Sequence, residues 1–154
     1  MKKFLFIFMA CSLLFVCQPH VTVASEPPLQ QTTSICHSND LIIETTLTIY
    51  NPNALTRVTQ SKSAQKEVAI KNAAGRKLAA FTLYGSFTYN GSSATCTNAS
   101  KSTSITDNTW HFSSSRAWTN GNCAQGYYSL NCSATMQSLS NNVTLTCSPN
   151  GTIS

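Results

Sequence analysis

Residues 41–50, LIIETTLTIY, place Leu41, Ile43, Leu47 and Ile49 on one side, with Thr45 between them, and Glu44, Thr46 and Thr48 on the other. A period of two with threonine on the polar side predicts a half-buried strand. The following NPN ends it, because Pro52 has no N–H to give to a ladder. Residues 54–80 are ambiguous. Their Ala, Lys, Gln and Glu permit a helix, but Val68 and Ile70 alternate and residues 72–75 suit a turn, so two strands around that turn are expected. The uncharged run FTLYGSFTYNGSSATC, residues 81–96, reads as a hairpin. With Asn90 and Gly91 at the centre of a type I′ turn, Tyr89 pairs with Ser92, Phe87 with Ala94 and Gly85 with Cys96. Phe81, Leu83, Phe87, Tyr89, Ala94 and Cys96 then face inward, and Gly85 leaves room opposite the sulfur.

Further along, a strand is expected up to Ile105, a turn at Asp107 and Asn108, and a strand with Trp110 and Phe112 on one face. TNGN is another turn. Leu130, Cys132, Ala134 and Met136 alternate inward, as do Val143, Leu145 and Cys147. Short strands punctuated this regularly predict an all-β fold: a small single-domain antiparallel sandwich, with Greek-key connections as one arrangement and one or two disulfides as staples.

The N-terminus adds a compartment. Lys2 and Lys3 precede an apolar run over residues 4–16, and small residues stand at Ala24 and Ser25, the order of a secretory signal. The run is short for a membrane span. A lipid anchor on Cys17 would need a small residue where Val16 stands. Residues 1–24 are therefore expected to be removed, residues 25–38, which begin SEPPLQQTTS, to form a flexible leader, and residues 39–154 to form the sandwich. The product is expected to be secreted, extracellular or loosely attached to the cell wall, with no integral membrane segment after cleavage.

Loss of Lys2 and Lys3 with the signal lowers the formal net charge from +5 to +3, and six basic residues cluster in residues 57–77. The cluster fits attraction to an anionic surface; a solvated strand face and turn is the commoner origin of such a run. No nucleic-acid partner is expected.

From KNAAG through LYGSFTYNGSSATCTNASKSTSITDNTW to GNCAQG and VTLTCSPNGTIS, the chain resembles a group of small secreted proteins of Gram-positive Firmicutes. The resemblance extends over most of the chain from Lys66 onward. It rests on Gly85, Phe87, Tyr89 and Gly91, on Cys96, on Asp107 and Trp110, on Gly121 and Asn122, and on the terminal Cys147-x-x-Asn-Gly. It implies compartment and β architecture, and no active site. Cys36, Cys123 and Cys132 depart from the pattern.

Five cysteines remain once the signal is removed, an odd number, so at least one is unpaired or joined to another chain. Cys96 with Cys147 is the favoured pair, because both point inward and both belong to the shared pattern. Cys123 with Cys132 would close a short loop around Tyr127 and Tyr128. Cys36 is left for an intermolecular disulfide.

Candidate chemistry is sparse. No cysteine or histidine spacing suits a metal or other cofactor. Asp107 and His111 offer an acid–base pair only if a turn brings them together; capping of that turn by Asp107 is the simpler reading. No catalytic residue is assigned. Trp118, Tyr127 and Tyr128 lie among Gly, Asn, Gln and Ser, a setting for stacking on sugar rings or gripping a protein surface, or for filling the sandwich core. The five N-x-S/T sequons, at Asn90, Asn98, Asn131, Asn142 and Asn150, arise from composition and are read as unmodified. These features point to a secreted or cell-surface, non-catalytic interaction module whose partner is an extracellular protein or a glycan. A small secreted enzyme or toxin acting on cell-wall polymers or membranes is the alternative.

Overall fold

The computed structural model describes residues 28–38, 40–50 and 59–154. The signal at residues 1–24 and the turn at residues 51–53 lie outside them. Eight strands succeed one another: β1 (Pro28–Ser38), β2 (Leu41–Tyr50), β3 (Gln60–Asn72), β4 (Lys77–Tyr89), β5 (Ala94–Ile105), β6 (Trp110–Asn120), β7 (Cys123–Cys132) and β8 (Ser138–Thr146). They form two antiparallel sheets, β1-β2-β3-β4-β5 and β6-β7-β8. The fold is an all-β sandwich. Among the described residues, no helix is long and apolar enough to cross a membrane.

Every strand pairs with its successor except at the one change of sheet, so both sheets are meanders and the Greek-key arrangement does not arise. The reason is local: the described connections within each sheet are tight turns, which leave no chain to carry a strand past its neighbour. The change of sheet is also tight. The N–H groups of Thr106 and Asp107 donate to the Leu78 carbonyl at 2.8 and 3.0 Å, and that of Trp110 donates to the Asp107 carbonyl at 3.1 Å, turning the chain into β6.

The ambiguous region resolves as β3 and β4 around a turn closed by Gly75 N–H donating to the Asn72 carbonyl at 2.9 Å. Residues expected to be leader instead form β1, paired along its length with β2 from Pro28↔Tyr50 to Ser38↔Leu41. From Leu29 to Ser38 its side chains are exposed. Backbone pairing with β2 holds it, which apolar alternation does not register.

The β4–β5 hairpin corrects the expected register. Tyr89 pairs with Ala94 and Phe87 with Cys96, leaving residues 90–93 as a four-residue loop. Gly91 has positive φ (88°), whereas Asn90 does not. The Asn90 side-chain oxygen accepts from the N–H groups of Ser92 and Ser93 at 3.0 and 2.9 Å. That Asx turn replaces the two-residue turn. Because the slip is an even number of residues, the inward set is unchanged. A bulge between Ser86 and Phe87 then places Gly85 opposite Ala99. The space at Gly85 serves the Phe87 ring and not the sulfur: a Cβ there would lie 2.7 Å from Phe87 Cζ and 3.1 Å from Ala124 Cβ.

The sheets meet where β4 faces β7. Phe81 and Tyr128 pack with ring centroids 5.2 Å apart, Phe112 meets Tyr128 edge-on at 6.3 Å, and a Cβ at Gly126 would lie 3.0 Å from Phe81 Cζ. Leu130, Cys132, Val143, Leu145 and Cys147 are buried, as their alternation requires. Ala134 and Met136 are not. β7 ends at Cys132, and Met136 is 88 % exposed in the next turn with φ 58°. After β8 the chain folds back as a hook: Thr146 and Ser154 exchange N–H···O bonds of 2.9 and 3.0 Å, Cys147 bridges Ile153, and Pro149 accepts from Gly91 N–H at 2.9 Å.

Candidate functional site

Alternation along β7 separates two faces. Ala124, Gly126, Tyr128, Leu130 and Cys132 are buried, while Gln125, Tyr127, Ser129 and Asn131 are half-buried on the outer side. The register extends that outer face across the sheet, with Trp118 beside Gln125 and Thr144, and Arg116 beside Tyr127 and Asn142. The Arg116 guanidinium carbon lies 5.1 Å from the Trp118 ring centroid and 5.4 Å from that of Tyr127. Both distances are within cation–π range. Arg116 is exposed and is the single Asp, Glu, Lys or Arg in β6, β7 and β8. The three ion pairs among the described residues use Lys71, Arg76 and Lys77, so its N–H groups have no acceptor there.

Trp118 and Tyr127 thus share a surface, and Tyr128 does not. Tyr128 is completely buried against Phe81 and Phe112, because strand alternation sends adjacent residues to opposite faces. Burial pushes its phenol up to about 12, and its hydroxyl has no hydrogen-bond partner among the described residues. Sequence reasoning passed over Arg116 as a site residue. The signal for it was its isolation: it is the lone charge after Asp107 and stands two positions before Trp118, on the same strand face.

All five described cysteines are free thiols. Cys123 and Cys132 occupy the two ends of one extended strand, about 30 Å apart at ~3.3 Å per residue, far beyond disulfide reach. The short loop expected between them is strand β7, so that pairing is overturned. Cys96 and Cys147 instead share the apolar core and flank one turn. Cys96 N–H donates to the Gly121 carbonyl at 2.9 Å and Cys147 N–H to the neighbouring Asn122 carbonyl at 3.0 Å. Burial pushes both thiols up; at Cys147 the Lys62 ammonium opposes the rise and Cys96 adds to it, while at Cys96 the bond to the Asn98 carbonyl opposes it and Cys123 adds to it. Cys36 is exposed on edge strand β1.

Asp107 and His111 do not form an acid–base pair. The Asp107 carboxylate accepts from the Thr109 hydroxyl (2.6 Å) and N–H (3.1 Å) and pairs with Arg76 at 2.5 Å, which together hold it below the usual carboxylate range. It caps its turn. His111 lines a separate open cavity of about 490 Å³ with Asn131, Cys132 and Met136, and that lining contains no carboxylate. The Cys132 thiol is lowered there, chiefly by hydrogen bonding with Thr135. No group of three or more His, Cys, Asp or Glu suited to a metal occurs among the described residues.

The fold and this surface define a two-sheet antiparallel sandwich with an arginine–aromatic face on its smaller sheet. No protein-family model, no curated protein and no solved structure matches the chain.

Proposed function

We propose that the chain is a secreted or cell-surface, non-catalytic interaction module of a Gram-positive bacterium that binds extracellular glycan through the outer face of β6, β7 and β8. The observation that carries this reading is the placement of the unpaired Arg116 over the rings of Trp118 and Tyr127. Two rings hold the guanidinium in place, and the amides of Gln125 and Asn142 and the hydroxyl of Thr144 surround them with uncharged polar groups suited to sugar hydroxyls. A small secreted enzyme or toxin finds less support, since Asp107 is engaged in its turn and the His111 cavity has no acid partner. The test is titration with a panel of soluble cell-wall polysaccharides, followed by isothermal titration calorimetry for every variant and by tryptophan fluorescence for the wild type. Trp110 is buried, so Trp118 is the responsive fluorophore. Trp118→Ala should weaken binding about tenfold or more with an unchanged melt. Binding indifferent to that change, or cleavage of a polymer by the wild type, refutes the reading.

In the exported protein we also infer a disulfide between Cys96 and Cys147. Two exchanges with an external disulfide join the sulfurs and transfer two electrons and two protons to that disulfide, which leaves as two thiols. Support comes from their shared core position and the common turn that both backbones bond. Such a staple ties β5 of one sheet to the hook beyond β8 of the other.

A further inference from the structure

We infer that the Arg116 face selects a saccharide bearing a carboxylate; this rests on the glycan-binding reading and specifies its ligand. A guanidinium over aromatic rings exchanges water on its faces for π-contact, while its N–H donors remain in plane and directed outward. That fork matches the two oxygens of a carboxylate, and holding it in advance removes part of the ordering cost of binding. In this sheet nothing competes for it: β6, β7 and β8 contain no Asp or Glu. One cation among uncharged amides and hydroxyls complements one negative charge per recognition unit, set among sugar hydroxyls. Gln125 and Thr144 lie on one side of the Arg116 row and Asn142 continues it, so hydroxyl-directed groups stand on two strands beside the guanidinium. Their side chains have no partner among the described residues and are free to meet a ligand. A polyphosphate chain would be better served by several converging cations, which this face does not have.

The probes are polygalacturonate, its methyl-esterified form and glycerol-phosphate teichoic acid, titrated against the full secreted chain by isothermal titration calorimetry. Polygalacturonate should bind at least about tenfold more tightly than the ester, the scale of one charge-assisted hydrogen-bonded pair. Arg116→Gln should abolish that preference without moving the melt, and Arg116→Lys should restore only part of it, since a point charge lacks the fork. Trp118→Ala should weaken both galacturonan forms. Equal affinity for acid and ester overturns the inference and leaves the glycan-binding reading standing. Preference for teichoic acid, a preference that persists in Arg116→Gln, or absence of binding to all three probes also overturns it. The broader reading falls on different results: indifference to Trp118→Ala across the wider polysaccharide panel, or polymer cleavage.

Discussion

The hook after β8 seats Gly151 against Tyr89, and Gly151→Ala is the sharpest probe of that contact. Gly151 has φ +78°, and an added Cβ would lie 2.4 Å from Tyr89 Cε2 and Cζ and 2.9 Å from Cε1. Two separate costs arise. The left-handed conformation costs a residue with a Cβ about 1 to 2 kcal/mol, and displacing a packed ring costs about 1 to 3 kcal/mol. Their combination is a loss of about 2 to 5 kcal/mol, a large part of the stability of a small domain.

Gly91 separates the two costs. Its φ is +88° and no atom of the described residues lies within 4 Å of an added Cβ, so Gly91→Ala should lose only about 1 to 2 kcal/mol. Urea melts monitored by the fluorescence of buried Trp110 measure both. In a Tyr89→Ala background the extra cost of Gly151→Ala should vanish, since the contacting ring is gone. Equal destabilisation by Gly151→Ala and Gly91→Ala would refute the seating of the hook on Tyr89.

The remaining predictions concern buried groups. Tyr128→Phe should raise stability by about 1 kcal/mol in a urea melt, because the lost hydroxyl has no partner among the described residues. With the Tyr128 phenol pushed up to about 12, the unfolded chain releases a proton above pH ~10 that the folded chain retains, so wild-type stability should fall by up to about 3 kcal/mol between those values. That alkaline loss should be smaller by this amount in Tyr128→Phe, as melts across this range will show. Cys96→Ser should cost up to about 4 kcal/mol in the oxidised protein, the value for closing a loop of about fifty residues, whereas Cys36→Ser should leave the melt unchanged. Non-reducing peptide mapping should join the Cys96 and Cys147 peptides; a Cys36–Cys96 link would contradict the assignment.

Strand identity was legible where side chains alternate. LIIETTLTIY, the two strands around residues 72–75, and the inward cysteines at positions 96 and 147 all stem from period two. β1 was not legible, because its ladder with β2 is a backbone property and its side chains from Leu29 to Ser38 are exposed. The Asn90 loop shows a different limit: Asn-Gly admits both a type I′ pair and an Asx turn, and the bulge at Ser86 and Phe87 absorbs the difference. At the candidate site, aromatic residues could be counted from sequence, but their faces could not be assigned without the start of β7. Tyr127 and Tyr128 exchange roles if that start moves by one residue. The Cys123–Cys132 pairing failed for a related reason, since a Gly- and Tyr-containing segment read as loop is a continuous strand.

Arg57 lies outside the described residues, and the rest of the basic run, Lys62 to Lys77, illustrates how concentration in sequence differs from concentration in space. Lys71 pairs with Glu44, Lys77 with Glu67 and Arg76 with Asp107. Lys62 and Lys66 pair in register with Phe87 and Leu83, and so point toward the inner face. They donate to the carbonyls of Gly151 and Thr144 at 2.5 and 2.6 Å. Thr144 belongs to β8, the edge strand of the smaller sheet, so Lys66 occupies a carbonyl that would otherwise face outward along an unpaired edge. Burial lowers the Lys66 ammonium from its ordinary value, an opposing cost that reduces the net gain from this bond. Lys66→Met should therefore lose only about 1 kcal/mol of stability, while saccharide binding at Arg116 should be unaffected. The reverse pattern, binding lost with Lys66 and kept without Arg116, would place ligand recognition on the basic run and refute the assignment to the isolated cation.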